Sequence, residues 1–434
     1  MSAPTSPVYA LVDCNNFYVS AERVFNPKLE DRPVVVLSNN DGCAVARSAE
    51  AKALGIQMGE PWFQLKPLVK RHGLIGLSSN YTLYGDMSAR VMQVLRTFTP
   101  DVEVYSIDES FLRLERMRQL WPCLSVMGQA IRTQVRQWTG IPVCVGIGPT
   151  KTLAKLANHI AKKNAQFNGV FDMTTYPERE LASLLSAIDV SEVWGVGRRI
   201  AAKLDAMNIR SVEDLRWAPA KGIRLHFSVV LERTVAELQG ISCLALEDVA
   251  PPKKQIVSSK SFGRMVMTYD ELGEALSTYV SRAAEKLRVQ KSVAGALQVF
   301  VMTNVFRETD PQYSNGMVIP LPNPTNDTLK LVAAALYGLK RIYKPGYAYK
   351  KCGVMLMDLS PQHQRQASLF SQVDDIARHS DTLMSVLDSI NARYGRDTLI
   401  VAAAGTHRGW AARAENKTPY YTTRWTELPK AWAC

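Results

Sequence analysis

"VYSIDES" (residues 104–110) sets two carboxylates, Asp108 and Glu109, side by side at the end of an apolar run. Successive side chains of a strand face opposite sides, so two adjacent acids do not both face a core. A third acid, Asp13, closes another apolar run, "VYALVD" (8–13). If "VEVYSID" (102–108) and "VYALVD" are antiparallel neighbours in one sheet, their acidic ends meet. Two unit charges about 4 Å apart repel by about 4 kcal/mol at an effective dielectric of about 20. Three clustered carboxylates therefore need cations, and hard oxygen donors without His or Cys point to Mg²⁺. Two such ions about 3.5–4 Å apart clamp the attacking and leaving oxygens of a phosphoryl transfer. The same acids read equally well as unrelated strand ends, solvated or salt-bridged.

The chain of 434 residues is 47% hydrophobic, enough to bury real cores, and its length suggests about three or four domains. Lys and Arg number 52 against 40 Asp and Glu, a net charge of +12 that suits a polyanion such as nucleic acid. Seven scattered cysteines form no C-x-x-C pair, so neither a zinc site nor a disulfide framework is indicated, and a reducing cytoplasm fits. The start, "MSAPTSPVYALVD", has no secretory pattern, and no apolar run reaches about 18 residues, so no membrane span is expected.

Strand-like and helix-like runs alternate up to about residue 172, which predicts a mixed sheet with helices against it. "RPVVVLSN" (32–39) and "PVCVGIG" (142–148) read as strands. "AVARSAEAKAL" (44–54), rich in Ala, "DMSARVMQVLRTF" (86–98), "LSVMGQAIRTQVRQW" (124–138) and "TKTLAKLANHIAKK" (150–163) read as helices. Short helices follow from about 173, then a Pro/Lys/Ser-rich linker, "EDVAPPKKQIVSSKSFG" (247–263). Beyond it lie a second α+β region and, after about 380, a small α+β-looking unit. "GIGPTKT" (146–152) lacks the G-x-x-x-x-G-K-[ST] spacing of a phosphate loop, which excludes that class of NTPase.

"VDCNNFYVSAERV", "SNNDGCAVARSAEAKALGIQMGEPWF", "SSNYTLYGDMSARV" and "VYSIDESF" together resemble the Y-family translesion DNA polymerases. Within them the chain is similar to the UmuC branch, with its MucB, ImpB and RumB relatives. The resemblance runs over almost the whole chain. It implies an error-prone, template-directed DNA polymerase of the SOS DNA-damage response, with an α+β right-hand architecture. The implied parts are a ferredoxin-like palm (1–33 and 78–172), small fingers (34–77), a helical thumb (173–242) and an α+β little finger (243–360). A linker with a clamp-binding peptide (361–379) and a UmuC-type C-terminal extension (380–434) complete it.

By the same resemblance, two Mg²⁺ ions are held by Asp13, the main-chain oxygen of Cys14, Asp108 and Glu109. Asp108 contacts both ions, and Glu109 reaches round a strand end or bulge to the ion that activates the primer 3′-hydroxyl. Tyr18 stands at the steric-gate position, where an aromatic ring leaves no room for a ribose 2′-hydroxyl. Phe17 and Tyr18 also read as ordinary core aromatics. Lys52 and Lys162 fall at triphosphate-contacting positions. Where many members carry a Tyr three residues before Lys52, this chain has Ala49, and Arg47 is the candidate for the missing contact.

"VWGVGRRIAAKLDAMNI" (193–209) resembles a helix-hairpin-helix, though a plain αα-hairpin has the same outline. Gly195 and Gly197 would let the backbone approach a phosphate, with Arg198 and Arg199 adding charge. Lys253, Lys254 and Lys260, with Arg264, Arg282, Lys286, Arg288 and Lys291, form a basic stretch at the little-finger position. Such contacts imply salt-dependent, sequence-blind grip on primer-template DNA. "QASLF" (366–370) resembles the bacterial sliding-clamp peptide, with Gln366 at the pocket rim and Leu369 and Phe370 filling it. The C-terminal extension implies a UmuD′-type dimer and a RecA filament as partners. Three other readings compete: a non-catalytic DNA- and clamp-binding scaffold, a DinB-like stand-alone polymerase, and a nucleotide cyclase. The three acids argue against the scaffold, and the basic second region and "QASLF" against the cyclase.

Overall fold

The run ending in Asp13 becomes β1 (Tyr9–Cys14), the central strand of a five-stranded sheet. The computed structural model describes residues 7–247, 251–364 and 373–429. The chain divides into two units: Met1–Leu37 with Cys43–Ala250 and Asn416–Cys434, and Ser38–Gly42 with Pro251–Glu415.

In the first unit β1 leads into α1 (Phe17–Phe25). A small three-stranded sheet follows, from β2 (Val34–Leu37), β3 (Ala44–Arg47) and, after α2 (Ala49–Ala53) and α3 (Trp62–His72), β4 (Ile75–Ser78). The helix expected over 44–54 is thus split. Ala44–Arg47 pairs with β2, and Ser48 ends the strand by accepting the Ala51 N–H as a helix N-cap. Ladder pairing here overrides the helix preference of alanine.

The chain returns through α4 (Tyr81–Arg96) to a hairpin of β5 (Val102–Val104) and β6 (Glu109–Arg113). The strand expected over 102–108 therefore stops at Val104. The N–H groups of Tyr105 and Ser106 both donate to the Glu109 carbonyl (3.1 and 3.0 Å), turning the chain before Asp108. Next come α5 (Leu124–Thr139), β7 (Val143–Gly148), α6 (Lys151–Lys163) and β8 (Val170–Asp172). The sheet order is β5-β6-β1-β7-β8, antiparallel except between β7 and β8, so the sheet is mixed as expected.

Helix α6 lies unusually close to this sheet because Gly146 and Gly148 face it. A Cβ at Gly146 would collide with the backbone of Ala154 and Asn158. The glycines of "GIGPTKT" serve packing, consistent with the exclusion of a phosphate loop. Buried Asn158 fixes the register, its amide donating to the carbonyls of Leu11 (3.2 Å) and Cys144 (2.8 Å). Five short helices complete the segment: α7 (Glu178–Ser186), α8 (Arg198–Asp205), α9 (Val212–Arg216), α10 (Ala220–His226) and α11 (Val229–Leu238).

The second unit is built round a four-stranded antiparallel sheet on which two helices pack. In chain order these are β9 (Ile256–Val266), α12 (Tyr269–Val289), β10 (Ser292–Thr303), β11 (Ser314–Thr325), α13 (Thr328–Ile342) and β12 (Tyr349–Pro361). Half of the expected linker is therefore strand β9, paired with β12 from Ile256 onward. The C-terminal region holds α14 (Val373–Tyr394) and, among the described residues, no strand, which corrects the expected α+β unit. Arg288 grips Asp388 of α14 with two hydrogen bonds, and Arg282 and Arg408 both pair with Asp397.

Candidate active site

β1 and β6 are in register so that Asp13 and Glu109 are directly opposed. Paired residues of antiparallel strands project to the same face, here the face covered by α6, where Leu11, Phe111 and Ala154 pack together. Helix α6 presents two lysines seven residues apart to these acids. Lys162 Nζ sits 2.5 Å from Asp13 Oδ1, and Lys155 Nζ donates to both oxygens of Glu109 at 2.7 and 2.9 Å. Lys155 is also framed by aromatic faces, 5.1 Å from the Tyr105 ring and 5.6 Å from that of Trp194.

Asp108 lies in the turn. Its Oδ1 accepts from Ser106 Oγ (2.6 Å), and its carbonyl accepts the Cys14 N–H (2.9 Å). The bend anticipated at Glu109 is thus at Ser106–Asp108, one residue earlier, and Glu109 begins the paired strand. Burial pushes the Asp13 carboxyl up to about 6, with Glu109 and Asp108 adding to the shift and Lys162 opposing it. Buried Cys14 contributes no reactive thiol, since burial holds its pKa well above the ordinary value.

Asp13 and Asp108 line a cleft of about 790 Å³ together with Tyr18, Arg47, Lys52 and Lys162. Phe17 is core, 3% exposed, whereas the Tyr18 ring reaches the cleft and stacks on Tyr84 (centroids 4.3 Å apart, planes 14°). Lys52 Nζ donates to Asn16 Oδ1 (2.6 Å), and its pKa is lowered, first by burial and then by Arg47 and Lys162. Arg47 gives one hydrogen bond to the Ile56 carbonyl (2.8 Å), and its buried Nε has no partner. Three cations and two acids therefore share one cleft, with Lys162 already paired to Asp13.

Among the described residues no three His, Cys, Asp or Glu side chains are grouped as a metal site requires. Lysines cover two of the three acids. The donor chemistry nevertheless fits a hard divalent ion. Every side-chain donor is a carboxylate, and the upward shift at Asp13 is one that a cation beside it would reverse. Lys155 and Ser106 were not singled out from the sequence. The signal for Lys155 was present, because it lies two turns before Lys162 on the same helical face.

Gly195 has φ +90°, a conformation that favours glycine, and Gly197 caps α8. Added Cβ atoms at either would meet nothing within 4 Å, so this turn is open, and Arg198 and Arg199 beside it are exposed. Trp194 anchors the turn against Tyr105 and Phe111 (5.3 and 5.8 Å). Lys253, Lys254 and Lys260 are exposed on the second unit. Arg264, Arg282 and Arg288, by contrast, are engaged in internal ion pairs. Gln366, Leu369 and Phe370 lie outside the described residues.

The fold is that of the Y-family DNA polymerases. A Y-family chimera of Dbh and Dpo4 matches 82% of this chain and 99% of its own (TM-score 0.63, 20% identity). An insertion ternary complex of Dbh DNA polymerase matches with the same coverage and identity (TM-score 0.53). Models of the impB/mucB/samB family match residues 12–159, with its C-terminal domain at 253–369 and its helix-hairpin-helix motif at 178–209. A domain of unknown function matches 381–431. Protein UmuC of Salmonella typhimurium is 47% identical over 97% of this chain and 99% of its own length. Protein SamB and Protein ImpB of Salmonella typhimurium are 46% and 44% identical, each over 98% of this chain and 99% of their own. The chain belongs to the impB/mucB/samB family of Y-family DNA polymerases, in its UmuC branch.

Proposed function

We propose that this chain is a template-directed DNA polymerase that joins a dNTP to a primer 3′-hydroxyl and extends past damaged template bases. The observation that carries this reading is the cleft that sets Asp13 and Asp108 against Arg47, Lys52 and Lys162, with Tyr18 in its wall. Two Mg²⁺ ions held by Asp13, the Cys14 main-chain oxygen, Asp108 and Glu109 would supply Lewis-acid stabilisation of the phosphoryl oxygens. The chain's own cations supply the rest. Arg47, with its unpartnered Nε, and Lys52 face the cleft where a triphosphate needs donors. Lys162, paired with Asp13 in the free protein, joins them once that acid has another partner. The face of Tyr18, backed by Tyr84, excludes a 2′-hydroxyl.

The open turn at Gly195 and Gly197 supports backbone contact to DNA phosphates, aided by Arg198 and Arg199. Lys253, Lys254 and Lys260 supply further phosphate contacts. "QASLF" supports docking on the sliding clamp through Gln366, Leu369 and Phe370. The UmuC-like C-terminal region supports a UmuD′-type dimer and a RecA filament as activating partners. The palm, fingers, thumb and little-finger boundaries expected from the sequence belong to the same reading. No helix among the described residues is long and apolar enough to cross a membrane. The deciding experiment is primer extension by purified protein with Mg²⁺, with and without a UmuD′-type partner and RecA. Parent protein should extend, and Asp108→Asn with Glu109→Gln should not. Extension by that double variant would sink the carboxylate assignment.

A further inference from the structure

The ring at the sugar position does not stand alone. Tyr18 stacks on Tyr84, which is fully buried, and meets Tyr81 edge-on (6.1 Å, 87°). The Tyr84 hydroxyl donates to Glu22 Oε1 (2.7 Å). Glu22 lies one helical turn after Tyr18 on α1, on the same face. It is 1% exposed, and its second oxygen has no hydrogen-bond partner. A buried acid with no cation beside it is costly unless its partners are well placed. Burial accordingly raises the Glu22 pKa above its ordinary value.

Among the described residues, the Glu22 carboxylate has one other hydrogen-bond partner, and it comes from the far end of the chain. Thr418 Oγ1 donates to the same Glu22 oxygen (3.1 Å) while accepting from the buried amide of Asn80 (3.0 Å). Asn80 also donates to the carbonyls of Thr418 and Pro419 (3.3 and 3.1 Å), and it starts α4, the helix that carries Tyr81 and Tyr84. The segment is pinned at both ends. Asn416 and Ser78 exchange two hydrogen bonds of 3.0 Å, and Tyr421 stacks on Phe25 at the end of α1 (4.9 Å, 8°). Asn416–Tyr421 thus touches both helices that present the three rings.

We infer that the Asn416–Tyr421 segment is a positioning element for sugar selection, acting on Tyr18 through Thr418, Glu22 and Tyr84. It gives a role to part of the 381–431 domain of unknown function. The inference rests on the proposed reading of Tyr18 as the sugar-excluding ring. A misplacement of about 1 Å caused far from the chemistry can cost about 100-fold, so slack behind Tyr84 becomes slack in selection.

The test uses full-length protein in single-nucleotide insertion, comparing kcat/KM for a ribonucleotide and its deoxy counterpart. Thr418→Val removes the hydroxyl at nearly constant volume, and it should raise relative ribonucleotide use about tenfold, through the ribonucleotide KM. Thr418→Ser keeps the hydroxyl and should retain the parent ratio. Tyr18→Ala is measured alongside. If Tyr18→Ala relaxes selection while Thr418→Val only lowers thermal stability, the positioning role is wrong and the gate stands. If Tyr18→Ala leaves selection unchanged, the gate itself is wrong, and the positioning role falls with it. Should Thr418→Val fail to fold, Tyr421→Leu, which removes the stacking on Phe25, is judged in the same assay by the same ratio.

Discussion

Asp13 and Glu109 are directly opposed partners on adjacent strands, and a lysine from α6 covers each of them. The helix thus neutralises two acids without a metal ion. Lys155→Met should lower the melting temperature in EDTA by about 2–6 °C, since it strands a partly buried carboxylate. Mg²⁺ should recover most of that loss and stabilise the variant more than the parent. Equal Mg²⁺ shifts in both proteins would show that Lys155 does not substitute for a cation at Glu109.

Lys52 shares the cleft with Arg47 and Lys162, and its lowered pKa, caused first by burial, records the positive crowding. On the proposed function, an incoming triphosphate relieves that repulsion. Lys52→Ala should raise the dNTP KM by about 10- to 100-fold, the range for a lost hydrogen bond to a charged group, with little change in kcat. Steady-state insertion kinetics decide it. A fall in kcat at constant KM would move Lys52 from triphosphate binding to chemistry.

Arg198 and Arg199 flank the open turn that begins α8. If each neutralises one phosphate, the Arg198→Ala, Arg199→Ala variant should lose about 1.8 from the slope of log K against log salt. Titrations of labelled primer-template at several salt concentrations measure it. An unchanged slope would leave Gly195 and Gly197 in a structural hairpin.

The raised pKa of Glu22 makes stability pH-dependent with a defined sign. The folded protein holds this proton more tightly than the unfolded chain does. The contribution is complete below the ordinary glutamate value of about 4.3 and is lost as pH rises through the folded-state pKa. Tyr84 and Thr418 both donate to the carboxylate and limit the loss. Glu22→Gln should therefore flatten the decline in stability on going from acid to neutral pH. Urea unfolding of parent and variant across that range reads the difference, and parallel profiles would rule out Glu22 as the source.

Much of the first unit was legible in the sequence because its patterns are long and regular. β1 and β7 are continuous apolar runs and α6 repeats its apolar residues at helical spacing. The meeting of Asp13 with Glu109 was expected from pairing 102–108 with β1, but the strand beside β1 is β6, which begins at Glu109, and β5 lies beyond it. The hairpin between β5 and β6 was hidden because Ser106-Ile107-Asp108 turns without Gly or Pro. β11 was hidden for the opposite reason. It carries Pro320, Pro322 and Pro324, which an edge strand tolerates and an interior strand does not. β9 starts in a stretch of Lys, Gln and Ser that only its pairing with β12 makes into a strand. In the site, carboxylates without counter-charges announce themselves. A lysine on an amphipathic helix reads as a solvated charge unless its spacing is weighed, and for Lys155 that spacing to Lys162 was the available signal. No local pattern connects Glu22 to Thr418, which are 396 residues apart.

That separation also sets a schedule. A ribosome adds about 5–20 residues per second, so Glu22 is joined to the chain about 20–80 s before Thr418. Once Tyr84 has been made, it and Glu22 have each other but not the segment that locks them. The nascent chain carries its acids and its sheet long before the wall beside the sugar is complete. On the inferred role of Thr418, discrimination between the two kinds of nucleotide is among the last properties this polypeptide acquires as it is synthesised.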